Sequence, residues 1–318
     1  MLINMVRMTV LASGSRGNST VVSSTRTRIL VDAGVSCREL FKRMQAAGED
    51  PRSLDAIIVT HEHQDHVQGL AVTARKLGIP VYFTEATHRA WMRWVTPRKR
   101  MTYAEWLAER KAQAETRAAA AVNPEIDDRE AFDEEQETLS PDDSSPKADP
   151  ATLPAVEYFT AGEGFSIGDI AVTPFTIPHD AADPVGFVFE AEGIRIGLAT
   201  DLGYIPAHAA MRLRRCDILM LESNHDLDML RDGPYPWSVK QRVMSRVGHL
   251  SNNAAAEFLE KGYDGQAEYV ILAHLSESNN LPELARVAAE HALRDRMSLL
   301  GNRVLLATQD RPMASIEL

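Results

Sequence analysis

Ala56-Ile57-Ile58-Val59-Thr60-His61-Glu62-His63-Gln64-Asp65-His66 joins a short apolar run to a dense set of metal-ligating side chains. The run has strand length and β-branched character, so it reads as a buried strand. The four groups after it, His61, His63, Asp65 and His66, fall within six positions. Imidazoles this crowded would lose ordering entropy and gain little by decorating a loop. A bound cation offsets that loss, and imidazole with carboxylate suits Zn²⁺, Mn²⁺ or Fe²⁺. The spacing is not His-Glu-x-x-His, in which two ligands share a helix face. Here the ligands leave a strand, and alternate positions of an extended loop can aim at one centre. The motif points to a metal site, with two ions expected, and to hydrolytic chemistry.

Upstream, strands are expected over 8–12, 20–23 and 28–32, the first two joined by the turn-rich Ser13-Gly14-Ser15-Arg16-Gly17-Asn18-Ser19. A helix fits 36–47, with Leu40, Phe41 and Met44 on one face and Gly48 as its stop. After the histidines a helix is expected over 67–77, ended by Gly78, then a strand over 80–84. Order resumes at Val156, with strands over 165–167, 170–175, 185–190, 194–200, 218–222 and 269–273. Helices fit 206–214, 253–261 and 282–291. Strands and helices interleave in both halves, with hairpins as well as crossovers. That pattern favours two sheets covered by helices over a doubly wound parallel sheet.

The 318-residue chain carries a net charge of −11. Residues 123–150 hold 11 acidic side chains against 2 basic, a net of −9, so the remainder is close to neutral. Residues 93–117 hold 7 basic against 3 acidic. An inserted charged segment is therefore expected over 98–154: a solvated helix over 103–122, then a disordered acidic stretch over 123–154. That stretch has too little apolar surface to offset its ordering entropy. Residues 1–97 and 155–318 are expected to form one domain, with 44% hydrophobic residues to supply its core. No run of about 18 apolar residues suggests a membrane span, and the N-terminal stretch lacks a secretory h-region. Cys37 and Cys216 lie far apart, and neither has a CxxC neighbour. A disulfide scaffold is not expected, and a reducing cytoplasm is.

On its His61-x-His63-x-Asp65-His66 loop after a strand, the chain resembles the metallo-β-lactamase superfamily. The resemblance implies an α+β fold, the αβ/βα sandwich of two mixed sheets flanked by helices, with metals between the sheet edges. It also implies three further ligands. His179 in Ile177-Pro178-His179-Asp180, Asp201 after Ile196–Thr200, and His274 after Val270–Ala273 stand in the required order, each ending an expected strand. By the same resemblance, His61, His63 and His179 hold one divalent ion (Zn or Mn). Asp65, His66 and His274 hold a second, Asp201 bridges them, and a metal-bridging hydroxide is the nucleophile. Asp32 and Ser15 are expected to steady the ligand loop. The runs Leu11–Ser19, Leu221–Asp226, Gly233–Ser238, Gly248–Asn252 and Ala273–Asn280 resemble the YycJ/WalJ branch, bacterial cytoplasmic proteins linked to DNA exonuclease activity. The resemblance covers nearly the whole chain outside 98–154.

His249 fits no metal position. Its motif, Gly248-His249-Leu250-Ser251-Asn252, resembles the His-Ser-Thr motif of RNase Z-like phosphodiesterases. This implies that His249 contacts the phosphate and assists the leaving group, with Glu222 matching the partner glutamate of those proteins. A carboxylate beside an imidazole favours the charged ring, which can then donate a proton. Ser251 or Asn252 could cap the following helix, whose N-terminus would favour an anionic phosphate. Ser251, Asn252 and His225 are candidate substrate contacts.

Fold and metals alone do not choose the substrate. A phosphate-facing histidine favours phosphodiester cleavage. Only 21 residues separate His179 from Asp201, too few for the tRNA-gripping arm of RNase Z enzymes. The 72 between Asp201 and His274 are too few for the inserted domain of RNase J-type nucleases. The expectation is a compact 5′→3′ exonuclease acting on DNA. A small-molecule phosphodiesterase or a lactonase-like hydrolase is the alternative. A positive groove for DNA could draw on Arg93, Arg98, Lys99 and Arg100, or on Lys240, Arg242 and Arg246.

Overall fold

Alternation along each strand sorts its apolar side chains into separate layers. In β1 (Arg7–Ala12), Met8 and Val10 enter one buried cluster while Leu11 and Ala12 enter another. The computed structural model describes residues 5–96, 107–108, 110–111, 151–294 and 303–318. Its strands form two seven-stranded sheets. The first contains β1, β2 (Ser19–Ser23), β3 (Arg28–Val31), β4 (Ala56–Ile58), β5 (Val81–Phe83) and β6 (Val156–Tyr158), with the chain's last strand, β14 (Ile316–Glu317), on the outer side of β1. The second runs from β7 (Phe165–Ile167) through β8 (Ile170–Thr176), β9 (Val185–Ala191), β10 (Ile194–Ala199), β11 (Ile218–Glu222) and β12 (Tyr269–Ala273) to β13 (Arg303–Leu306).

Both sheets follow one scheme. Pairing is antiparallel as far as β3 in the first and β10 in the second, then parallel beyond them. The layer between the sheets takes alternate residues from both: Met8, Ile29, Val31 and Ile58 from one, Val172, Phe187, Ile196, Leu198 and Ile271 from the other. The intervening residues face outward under helices. Leu30, Ile57 and Val81 pack with α1 (Cys37–Ala46), α3 (Leu70–Leu77) and α4 (Glu85–Val95). Leu219, Val270 and Leu272 pack with α5 (Ala207–Arg212), α8 (Asn252–Glu257) and α9 (Pro282–Leu293). This is the expected sandwich of two mixed sheets flanked by helices.

Two expected helices are shorter than their apolar patterns. The helix over 67–77 is split into α2 (Gln64–Val67) and α3. The break falls at Gly69, whose N–H donates to Ala33 O at 2.8 Å and where a Cβ would sit 2.1 Å from Val35 O. Tertiary contact therefore overrides helical spacing, while Gly78 ends α3 in the left-handed region as expected. The helix over 253–261 ends at Glu257 and continues as a π turn, Phe258–Gly262. The structure adds α4, α6 (Leu227–Asp232), α7 (Trp237–Val243) and the edge strands β13 and β14 to the expected elements; of these α4 is amphipathic, burying Thr87 and Trp91 one turn apart.

The chain divides into two units, Met1–Val95 with Pro150–Leu318, and Thr96–Asp149. In the second, residues 107–108 and 110–111 are helical. The helix expected over 103–122 and the disorder expected over 123–154 otherwise lie almost wholly outside the described residues, as do Arg98, Lys99 and Arg100. At the end of that stretch Leu153 packs beside the outer core of the first sheet. No helix among the described residues is long and apolar enough to cross a membrane.

Phe187 is fully buried between the sheets, edge-on to Phe159 at 5.7 Å. Phe187→Ala should lower unfolding free energy by about 3–5 kcal/mol. A change below about 1 kcal/mol in denaturant melts would contradict this packing.

Candidate metal centre

β3, β10 and β12 each end in a non-glycine residue with left-handed backbone: Asp32 (φ 59), Asp201 (φ 60) and His274 (φ 54). Such conformations cost roughly 1–3 kcal/mol each and persist where the surroundings over-determine them. Here they turn three side chains toward the loop that follows β4. That loop is clamped by backbone contacts. Asn18 N donates to Asp65 O at 2.7 Å, and Ala33 N to His66 O at 2.9 Å. A Cβ on Gly34 would lie 1.7 Å from Asp65 O, so only glycine allows the approach. From the second sheet, Val185 N donates to Thr60 O at 3.1 Å and Ala182 N to Glu62 Oε1 at 2.9 Å.

All seven expected ligands converge. Ligating atoms lie within 4.8 Å of one another in the groups His61–His63–His179, His61–His66–Asp201 and Asp65–His66–His274, and a fourth group joins Asp201, Glu222, His249 and His274. Each imidazole has one nitrogen anchored outside the centre. His66 Nδ1 contacts Asp32 Oδ2 at 2.8 Å, and His61 Nδ1 contacts Thr60 Oγ1 at 3.0 Å. His179 Nδ1 contacts Gly248 O at 3.1 Å, His63 Nε2 contacts Asp180 O at 3.2 Å, and His274 Nδ1 contacts Glu222 Oε1 at 3.0 Å. Such anchoring sets the tautomer and leaves the second nitrogen as a lone-pair donor.

The inward atoms fit a divalent cation. His61 Nε2, His274 Nε2 and Asp201 Oδ2 are buried without a hydrogen-bond partner among the described residues. Each such atom costs about 1–3 kcal/mol unless something satisfies it. His63 Nδ1 and His179 Nε2 stand 3.3 Å apart. Two nitrogens bound tetrahedrally to zinc at about 2.0–2.1 Å would be separated by about 3.4 Å.

The charges agree with this reading. Burial drives His61 well below the ordinary imidazole value, and His179 below it, which favours the neutral form that can donate a lone pair. At His66 burial also favours the neutral ring, but Asp201, Asp65 and Asp32 outweigh it and hold the value well above ordinary. At His274 burial is likewise outweighed by Asp201, with Asp65 and Glu222 adding to it. Burial opposes the charge on Asp201, yet His274 and His66 keep it ionised, well below the usual carboxylate range. The carboxylates that raise His66 and His274 are the groups that would also face a cation.

His249 sits beside this set. Its ring centroid lies 5.2 Å from that of His179 and 5.1 Å from that of His274. Its Nδ1 contacts Glu222 Oε1 at 2.7 Å, and Nε2 forms no hydrogen bond among the described residues. Glu222 is completely buried, and its other oxygen accepts from Leu202 N at 2.8 Å and Leu250 N at 3.1 Å. Burial opposes its charge, but His249 and the bonds from His249 and His274 hold the carboxyl below its usual range. One carboxylate thus contacts both His274 and His249.

Of the other candidates, His225 is buried and its pKa falls to about 4 through burial, so it is neutral. Ser251 caps α8, accepting from Ala254 N at 3.2 Å. Asn252 requires a correction: its side chain is buried in a network with Ser223 (2.7 Å) and Asn280 (2.8 and 3.0 Å), turned into the fold rather than toward a substrate. Ser15 also requires one, because it is exposed. Its neighbours do the supporting. Ser13 Oγ accepts from His274 N at 2.8 Å, and Asn18 Nδ2 lies 3.2 Å from Asp65 Oδ2 and 3.0 Å from His66 Nε2. Asp32 behaves as expected, accepting from Thr60 N and Thr60 Oγ1, both at 2.8 Å. The anchoring roles of Thr60, Ser13 and Asn18 were missed, since a Ser/Asn-rich turn announces itself only as a turn.

Two outcomes follow. Metal loading must displace the protons on His66 and His274. Chelator-stripped protein near neutral pH should release protons when Zn²⁺ or Mn²⁺ is added, and its apparent affinity should rise with pH. A pH-stat trace showing no release would contradict the ligand assignment. Gly34→Ala should push the ligand loop away and lower bound metal per chain, read by elemental analysis; full occupancy would refute the steric argument.

Comparisons with known proteins agree with the geometry. The chain is 31% identical over 287 residues to Exodeoxyribonuclease WalJ of Streptococcus pneumoniae, spanning 90% of this chain and 88% of that protein. It is 31% identical over 293 residues to Exodeoxyribonuclease YycJ of Bacillus anthracis, spanning 92% and 90%. The fold superposes on the metallo-beta-lactamase fold protein YhfI from Bacillus subtilis with a TM-score of 0.62, over 99% of this chain and 100% of that one, at 14% identity. Residues 12–239 match the metallo-beta-lactamase superfamily pattern. With that pattern, its relatives and its sandwich in agreement, the chain belongs to the metallo-β-lactamase superfamily, on the YycJ/WalJ side.

Proposed function

We propose that the chain is a metal-dependent phosphodiester hydrolase that degrades DNA from the 5′ end. The observation that carries this reading is His249, held at 2.7 Å by buried Glu222 with its ring 5.2 Å from that of His179 and 5.1 Å from that of His274; we assign it to the substrate rather than to an ion. A hydrolase that expels an alkoxide needs a proton donor beside the departing oxygen, and this imidazole is a candidate for that task. The names of the relatives, exodeoxyribonucleases WalJ and YycJ, support DNA as the substrate class.

In this reading His61, His63 and His179 hold one divalent ion, Zn²⁺ or Mn²⁺. Asp65, His66 and His274 would hold a second, and Asp201 would serve both. Bound there, the ions would supply an activated water and polarise the phosphoryl oxygen. The protein's own work is orientation and proton transfer. Glu222 accepts from His249 Nδ1, which leaves Nε2 to contact the phosphate and protonate the departing oxygen. Asp32, Thr60, Gly248 O and Asp180 O fix the ligand rings before substrate arrives. Cys37 and Cys216, both buried free thiols, support a reducing, cytoplasmic setting.

End-labelled single- and double-stranded DNA incubated with Mn²⁺ should lose nucleotides stepwise from the 5′ end. Intact DNA alongside turnover of bis(4-nitrophenyl) phosphate would reject the nuclease reading and favour a small-molecule phosphodiesterase. His249→Ala should retain both ions and lose about 10²- to 10⁴-fold in kcat; loss of metal instead would show that His249 is a ligand. Asp201→Ala should reduce occupancy at both positions, and retention of two ions would remove it from the shared role.

A further inference from the structure

Arg246 is exposed on the loop that leads into His249. Its guanidinium lies over the Tyr204 ring, 4.5 Å from the centroid, and it forms no ion pair with a carboxylate among the described residues. Tyr204 follows Asp201 by three residues, and Arg246 precedes His249 by three. The two loops are fastened to each other and to the His179 loop. Gly203 N donates to Pro178 O at 3.0 Å, and Asp180 N to Val247 O at 3.1 Å. A Cβ on Gly203 would lie 2.4 Å from the Arg246 carbonyl, so glycine is required for the loops to touch. The stacked pair is thus carried on the same backbone that positions His179, Asp201 and His249.

Other cations on this side are already engaged. Lys240 is largely buried and donates to Arg231 O at 2.7 Å. Arg242, near enough to Asp65 to feel its charge, is bonded to Asp180 Oδ2 at 2.6 Å. The centre itself is rich in carboxylates: Asp32, Asp65, Asp180, Asp201 and Glu222. A polyanion that extends past the bond being cut meets that negative charge and needs a cation beyond the ions. Stacking on tyrosine restricts the arginine rotamers while leaving the edge N–H groups free for two phosphate oxygens.

We propose that Arg246, braced by Tyr204, binds the phosphate of the nucleotide next to the scissile bond. It is a positioning residue for a polynucleotide rather than for a small diester. The inference rests on the phosphodiesterase reading above.

Steady-state kinetics on a single-stranded oligonucleotide, with binding measured across a salt series, test it. Arg246→Ala should raise KM about tenfold with kcat within twofold. Its plot of log affinity against log salt should flatten by about 0.7, one phosphate contact on a single strand. Arg246→Lys should restore most of the salt slope. Tyr204→Phe should match the parent protein, and Tyr204→Ala should raise KM about threefold. Equal metal content across the set checks folding. An Arg246→Ala protein with parental KM and salt slope overturns the proposal, as does a fall in kcat at constant KM. Parent protein that hydrolyses bis(4-nitrophenyl) phosphate but leaves DNA intact overturns the nuclease reading instead, and the proposal falls with it.

Discussion

A buried, ionised Asp201 needs positive charge beside it. The carboxylate is almost wholly buried, and an uncompensated buried charge costs about 3–5 kcal/mol. Imidazoles from both halves of the chain surround it: His61 and His66 from the first, His249 and His274 from the second. Asp201 in turn favours the charged form of His66 and His274. The local conformations bear the cost of this arrangement: three left-handed non-glycine residues and three buried atoms without partners. Occupancy by a divalent ion accounts for all of them together.

Topology explains why the two halves can meet there. Each sheet changes from antiparallel to parallel pairing at one strand, β3 or β10, and each of those strands leads into an aspartate with nearly the same left-handed φ. Ligands gather outside the carboxyl ends of strands at such changes of direction. Asp32 and Asp201 play unlike parts in like positions. Asp32 orients His66 from outside the centre, whereas Asp201 enters it. The halves are related in topology although no internal repeat is visible in the sequence.

Around the centre, polar groups that look expendable in sequence are fully engaged. Glu222 receives four hydrogen bonds and links His274 to His249, so a ligand and the proposed proton donor share one rigid carboxylate. Ser223, Asn252 and Asn280 close a buried network directly behind it. Such a network is costly if half satisfied and rigid when complete. It explains why motif residues that invite a substrate role, Asn252 above all, serve the scaffold.

The class of fold and the residues that converge on the centre were legible in the sequence. His61, His63, Asp65 and His66 crowd into one loop, and His179, Asp201 and His274 each end a run of strand periodicity. Both signals are local and survive without coordinates. The interleaving of strands and helices carried the two-sheet sandwich in the same way. Short edge strands such as Ile316–Glu317 were illegible because two residues hold no period. The supporting shell was decided only by tertiary structure. Ser13 rather than Ser15 reaches the backbone of His274, 261 residues away, and Arg246 stacks on Tyr204 across two loops. Those pairings depend on which backbones are forced into contact, at Gly34 and Gly203 above all, and no local pattern encodes a distance between strands that meet only after the sheets close.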